Sequence, residues 1–134
     1  MTYTVFINMD IKITSDQLNR LIAKIIELHY KGYEWKEKTI QGSRLSLLKQ
    51  SGYGFSFSNS EKNYTVLSFY HFNLGEGPFA ITSNQLYITN DFVDVLKRFT
   101  RMNEDLIIKH IVNWVENELN VKVDKVNKTP AKLA

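Results

Sequence analysis

The chain opens on an alternation of apolar and polar positions. Tyr3, Val5, Ile7, Met9, Ile11 and Ile13 share one parity, Thr2, Thr4, Asn8, Asp10 and Lys12 the other, and only Phe6 breaks the phase. A period of two is the pleat of a strand with one buried face, so a first strand is expected here. At Thr14 the period changes. Thr14 and Gln17 have the spacing of a capping box, and Leu18, Leu21, Ile22, Ile25 and His29 then recur at helical intervals until Gly32. Residues 33–39 alternate Tyr and Trp with Glu and Lys, which predicts a second strand with one solvent face. Residues 40–50 follow neither period. Residues 52–58 and 64–72 flank the polar run NSEK and predict a hairpin, after which Gly75, Gly77 and Pro78 punctuate the chain. Short strand-like pieces follow at 79–81 and 86–88.

The last third is helical in pattern. Asn90 and Asp91 supply a cap and a favourable negative charge for a stripe of Phe92, Val95, Leu96, Phe99 and Met102. Asn103, Glu104 and Asp105 open a second stripe of Ile107, Ile108, Ile111, Val112, Val115 and Leu119, as two helices or one bent one. Residues 121–126 can add an edge strand. The expected fold is therefore α+β: a mainly antiparallel sheet, one helix after the first strand, and two C-terminal helices packed on it. A single domain is expected over 1–126, with 127–134, NKTPAKLA, as a flexible basic tail.

Composition narrows the class. With 134 residues, 43% of them hydrophobic, the chain is long enough for one sizeable core. It has no cysteine, which excludes disulfides, a thiolate nucleophile and a zinc-thiolate cluster. No window has the length and apolarity of a membrane span, and the N-terminus lacks a basic flank before an apolar run, so a cytoplasmic location and no membrane partner are expected. The net charge of +3 resides in the tail. As far as Leu119, Lys and Arg number 13 against 13 Asp and Glu, whereas the remainder holds four lysines against Asp124. A charge-neutral body lowers the odds of a phosphate-binding surface without excluding a segregated patch.

The segment SGYGFSFS, 51–58, resembles the base-stacking strand of the RNA-recognition motif, and VFINM and TSDQL resemble that family's first strand and helix entry. The resemblance implies nucleic-acid stacking through Tyr53, Phe55 and Phe57. The departures are physical. Positions between the rings must fill a core in that family, yet Gly54, Ser56 and Ser58 stand there; Ser51 replaces the leading basic residue; and a strand follows where the family has a helix. Burying a phenylalanine is worth roughly 1.5–3 kcal/mol, so the residues favour rings inside and serines outside.

No catalytic constellation is visible. None of His29, His71 and His110 has a second histidine or a carboxylate at helical ligand spacing, GEGPF lacks the lysine and helix of a phosphate loop, and there is no GxSxG. No enzyme activity, metal or cofactor is expected. Phe6 on a polar strand parity, with Tyr33 and Trp35 among charges, forms a candidate partner-binding set, because aromatic residues anchor interfaces. Lys97, Arg98, Arg101 and Lys109 are candidate contacts for nucleic acid or an acidic partner, although Asp94/Arg98 and Arg101/Asp105 have the spacing of solvated ion pairs. The expected function is thus a small non-enzymatic binding protein acting through a protein partner. A phage- or mobile-element-encoded inhibitor of a host system is one form of it, consistent with a Lys-, Asn- and Ile-rich composition. The alternative is a single-stranded nucleic-acid binder using exposed aromatics, the Lys97/Arg98/Arg101 cluster and the tail.

Overall fold

A computed structural model describes the backbone of residues 4–7, 11–45, 48–74, 78 and 81–129, and the side chains of 14–39, 52–73, 78 and 81–129. The elements run β1 (Thr4–Ile7), β2 (Ile11–Thr14), α1 (Ser15–His29), β3 (Glu34–Leu45), β4 (Leu48–Asn59), β5 (Tyr64–Leu74), β6 (Ile81–Thr89), α2 (Asn90–Thr100), α3 (Glu104–Leu119) and β7 (Lys125–Thr129). The class is α+β with a mainly antiparallel sheet. Two compact units are formed, one from Met1–Gly32 with Asp91–Val121, the other from Tyr33–Asn90 with Lys122–Ala134.

The first unit contains the three helices found among the described residues. Its opening stretch forms two short antiparallel strands rather than one, with Val5 opposite Ile13 and Ile7 opposite Ile11, so the first helix follows the second strand. The capping box forms as the spacing predicts: Gln17 N–H donates to Thr14 Oγ1 at 3.2 Å and Thr14 N–H to Gln17 Oε1 at 2.8 Å, satisfying two donors that a helix start leaves open. Leu18, Ile22 and Ile26 are the buried stripe of α1. Two separate helices follow, because Arg101 takes a left-handed conformation, φ 56°, and Asn103 then caps α3 by accepting from Leu106 N–H at 2.9 Å. The stripe of α2 departs from expectation at one residue. Phe92, Val95 and Leu96 are buried with Val93, while Phe99 is 56% exposed and meets the His29 ring edge-on.

The second unit is a five-stranded sheet in the order β3-β4-β5-β6-β7, antiparallel except for the parallel β6–β7 pair. The hairpin β4–β5 turns through Asn59, whose side chain accepts from the N–H groups of Glu61 and Lys62, and through Asn63 at φ 49°. The unassigned residues 40–45 and 48–50 extend β3 and β4; of the two expected pieces 79–81 and 86–88, Ile81 and 86–88 belong to one strand, β6, while 79 and 80 lie outside the described residues. The strand pairing of β7 runs as far as Thr129.

Registers sort the sheet into two faces. Opposed residues share a face, so Trp35, Phe57, Leu67 and Ile88 form one row and Glu37, Phe55, Phe69, Leu86 and Val126 the next. Phe57, Leu67, Phe69, Leu86 and Ile88 are buried, making this the core face of the unit. The other face carries Lys38, Gly54, Tyr70, Gln85 and Lys125 in one row and Lys36, Ser56, Ser68, Tyr87 and Asn127 in another. The expected orientation holds, with Phe55 and Phe57 on the core face and Ser56 on the other, but the expected degree of burial does not. Phe57 is buried, Phe55 is half-buried and Tyr53 is exposed, whereas Ser56 is 1% exposed and Ser58 8%. The reason is position: β4 is an interior strand, so its small side chains lie between β3 and β5 on this face.

Candidate functional site

The face of the sheet opposite the core rows, here the open face, carries a cluster of three aromatic rings. Tyr70 stacks on Phe72 at 5.6 Å between ring centroids and 27° between planes, and meets the edge of Tyr87 at 5.6 Å. All three rings are half-buried. Tyr70 can lie flat because Gly54 is beneath it: a Cβ at Gly54 would stand 2.5 Å from Tyr70 Cδ1. Tyr87 is tied down by its hydroxyl, which donates to Gln85 Oε1 at 3.2 Å, an oxygen that also accepts from Asn127 Nδ2 at 3.2 Å. Lys36 and Lys38 from β3 and Lys125 from β7 flank these rings on the same face, with Glu34 the acid of that face on β3. The sheet therefore sets a fixed aromatic centre between basic margins.

At one end of the core face the apolar rows give way to a polar one. Tyr53, 42% exposed, stacks on its ladder partner His71 at 5.0 Å and 22°. His71 Nδ1 lies 2.6 Å from Asn84 Oδ1. Asn84 is itself fixed, since its side-chain amide donates to the Lys122 carbonyl at 2.8 Å, its N–H donates to Asp124 Oδ2 at 2.9 Å, and its carbonyl accepts from Asp124 N–H at 2.8 Å. With the amide nitrogen committed to Lys122, Asn84 offers oxygen to the imidazole. His71 therefore donates through Nδ1, which fixes its tautomer when neutral.

A third feature lies in the first unit, between α1 and α3, as a groove of ≈320 Å³. His110, Asn113, Trp114 and Asn117 line it from α3 and Asn19 from α1, with Arg20 and Glu118 also in its walls. His110 is buried and its Nδ1 is hydrogen-bonded to Asn19 Oδ1. Burial, followed by the neighbouring Lys109 charge, lowers its pKa and favours the neutral ring.

The residues singled out by sequence fall in different places. Phe6 sits in β1 opposite Lys12, and its side chain lies outside the described residues. Tyr33 and Trp35 are half-buried, and both rings contact Phe57, at 5.7 and 5.2 Å. Burial raises the Tyr33 phenol pKa. Lys97, Arg98, Arg101 and Lys109 are all exposed in the first unit. Lys97 and Arg98 share a surface depression of ≈650 Å³ with Asp91 and Asp94, so that surface is mixed in charge. The expected Asp94/Arg98 and Arg101/Asp105 pairs do not close among the described residues. For the second pair the cause is visible: Arg101 stands beyond the end of α2, so no continuous helix joins it to Asp105. Sequence reasoning did not single out Tyr70, Phe72, Tyr87 or the α1–α3 groove.

Among the described residues no helix is long and apolar enough to cross a membrane, and no group of three His, Asp or Glu side chains converges as a metal site. No family model, curated protein or solved structure matches the chain.

Proposed function

We propose that the protein is a non-enzymatic binding module that engages a protein partner through the open sheet face of its second unit. The observation that carries this reading is how the rings Tyr70, Phe72 and Tyr87 are used. Tyr70 and Phe72 spend π surface on each other and Tyr87 meets Tyr70 edge-on, so the set is a packed aromatic ridge with polar tips rather than a row of flat platforms. Base stacking requires an open ring face, whereas protein interfaces favour rigid, amphipathic tyrosines. The margins Lys36, Lys38 and Lys125 suit a partner that is apolar at the centre and acidic at its rim.

The test compares affinity capture from the native host by the wild-type chain and by Tyr70→Ser, Tyr87→Ser and, on the opposite face, Tyr53→Ser. A specific captured protein that is lost with the first two variants and kept with the third supports the reading. Fluorescent single-stranded oligonucleotides titrated at two salt concentrations provide the opposing arm. Tight binding that falls steeply with salt and disappears when Lys36, Lys38 and Lys125 are changed together would replace a protein partner with nucleic acid.

A further inference from the structure

The groove between α1 and α3 is built unlike an ordinary helix seam. On α3, Ile107, Ile111 and Val115 form the buried stripe, and a second stripe at i, i+3, i+4 and i+7, His110, Asn113, Trp114 and Asn117, lines the groove. A helix surface that merely faced solvent would not need its histidine 2% exposed and tied to a neighbouring helix. We propose that this groove binds a small uncharged ligand with a ring face that can lie against an indole and a rim of hydroxyl or amide groups, the chemistry shared by a sugar ring and a nucleoside.

Three observations set that chemistry. First, the volume of ≈320 Å³ lies at the small end of ligand sites and admits a single ring-sized group or two. Second, the formal charges of the lining cancel, Arg20 against Glu118, so a strongly anionic or cationic ligand gains one attraction and meets one repulsion. Third, Asn113 and Asn117 supply carboxamides, which both donate and accept, beside Asn19, whose oxygen is held by His110. A hydroxyl does the same, so amides pair with hydroxyl rims in several registers without a net charge. Trp114 adds the aromatic wall against which a sugar's C–H face or a base can lie. This inference is independent of the sheet-face reading, because groove and sheet belong to different units.

The chain has two tryptophans, Trp35 and Trp114, so Trp35→Phe leaves Trp114 as the sole indole reporter. The full-length variant is titrated with N-acetylglucosamine, adenosine and adenosine 5′-monophosphate, and calorimetry on the wild-type chain guards against a folding defect in the variant. A saturable change in Trp114 emission with either uncharged ligand is expected, and the one that responds identifies the source. Asn113→Ala and Asn117→Ala should each weaken that response about tenfold or more with an unchanged far-UV spectrum. No saturable binding of either uncharged ligand by fluorescence or calorimetry would overturn the proposal. So would binding that ignores both asparagine variants, or the monophosphate binding about tenfold more tightly than adenosine, which would mean that the site selects charge.

Discussion

A single methyl group at Gly54 tests the geometry of the open sheet face. Built on the existing backbone, a Cβ there would stand 2.5 and 2.9 Å from Tyr70 Cδ1 and Cε1, and 2.6 Å from the Phe69 carbonyl oxygen. Ordinary carbon contacts lie near 3.5–4.0 Å, so both neighbours must give by about an ångström. The Tyr70 ring can swing about its side-chain torsions. The carbonyl cannot do so cheaply, because Phe69 lies in interior strand β5, paired to Phe55 on one side and Leu86 on the other. Replacing glycine by alanine at a compatible strand position stabilises by about 0.4–1 kcal/mol through the unfolded chain, whereas overpacking costs about 1–3 kcal/mol. Gly54→Ala should therefore destabilise by about 1–2 kcal/mol, a fall in Tm of roughly 4–8 °C for a chain of this size. Denaturant and thermal melts measure the loss, and the near-UV spectrum should change as the Tyr70–Phe72 stack is disturbed. Repeating the substitution in a Tyr70→Ala background separates the two clashes. A destabilisation that persists identifies the carbonyl, and one that vanishes identifies the ring. A Gly54→Ala melting temperature equal to or above that of the wild type would refute the close approach of Tyr70 and β5 to this glycine.

Three further outcomes follow from burial. Phe69→Ala should cost about 3–5 kcal/mol and Phe55→Ala distinctly less, since Phe69 is fully buried and Phe55 half-buried; equal losses in denaturant melts would contradict that difference. Ser56 Oγ is buried without a hydrogen-bond partner among the described residues, so Ser56→Ala should leave stability unchanged or raise it, by up to about 1 kcal/mol; a clear destabilisation would mean that the hydroxyl is satisfied. The lowered pKa of His110 means that the unfolded chain takes up this proton more readily than the folded one. Its contribution to stability is therefore present above the ordinary value of 6.5 and is lost as pH falls from there through the folded value. His110→Gln should flatten that part of the profile of denaturation midpoint against pH, and parallel profiles for the two proteins would rule the effect out.

Helix ends were legible because their chemistry is local. The Thr14/Gln17 box and the Asn103 cap are each complete within four residues and form as the spacing predicts. The pairing of β1 with β2 was not legible, for a definite reason. Every partner pair in that ladder joins residues of like parity: Thr4 with Thr14, Val5 with Ile13, Phe6 with Lys12, Ile7 with Ile11. With like-parity partners the alternation keeps its phase from β1 to β2, so one long strand and two short antiparallel strands write the same pattern. The parallel seat of β7 beside β6 is equally silent, because strand order depends on contacts between distant segments. The break after α2 was legible only as an ambiguity. It rests on Arg101 in a left-handed conformation, which a residue with a Cβ adopts against its preference.

The candidate sites were hidden by two-sidedness. In β5 one parity reads Leu67, Phe69, His71 and the other Val66, Ser68, Tyr70, Phe72, so both faces present aromatic or apolar residues and period alone cannot say which is covered. The register resolves it, because Phe69 lies opposite Leu86 and Phe55 while Tyr70 lies opposite Gln85 and Gly54. Only a glycine partner lets that tyrosine lie down on the sheet and stack with Phe72. The α1–α3 groove was hidden in a different way. The spacing 110, 113, 114, 117 exists in the sequence, but it marks one stripe of a helix whose neighbouring stripe, Ile107, Ile111 and Val115, is the obvious core. It becomes a distinct surface once Asn19, 91 residues earlier in the chain, is set against His110. A polar stripe beside a buried one looks like the wet side of an amphipathic helix until a second helix closes part of it, and that closure is tertiary information.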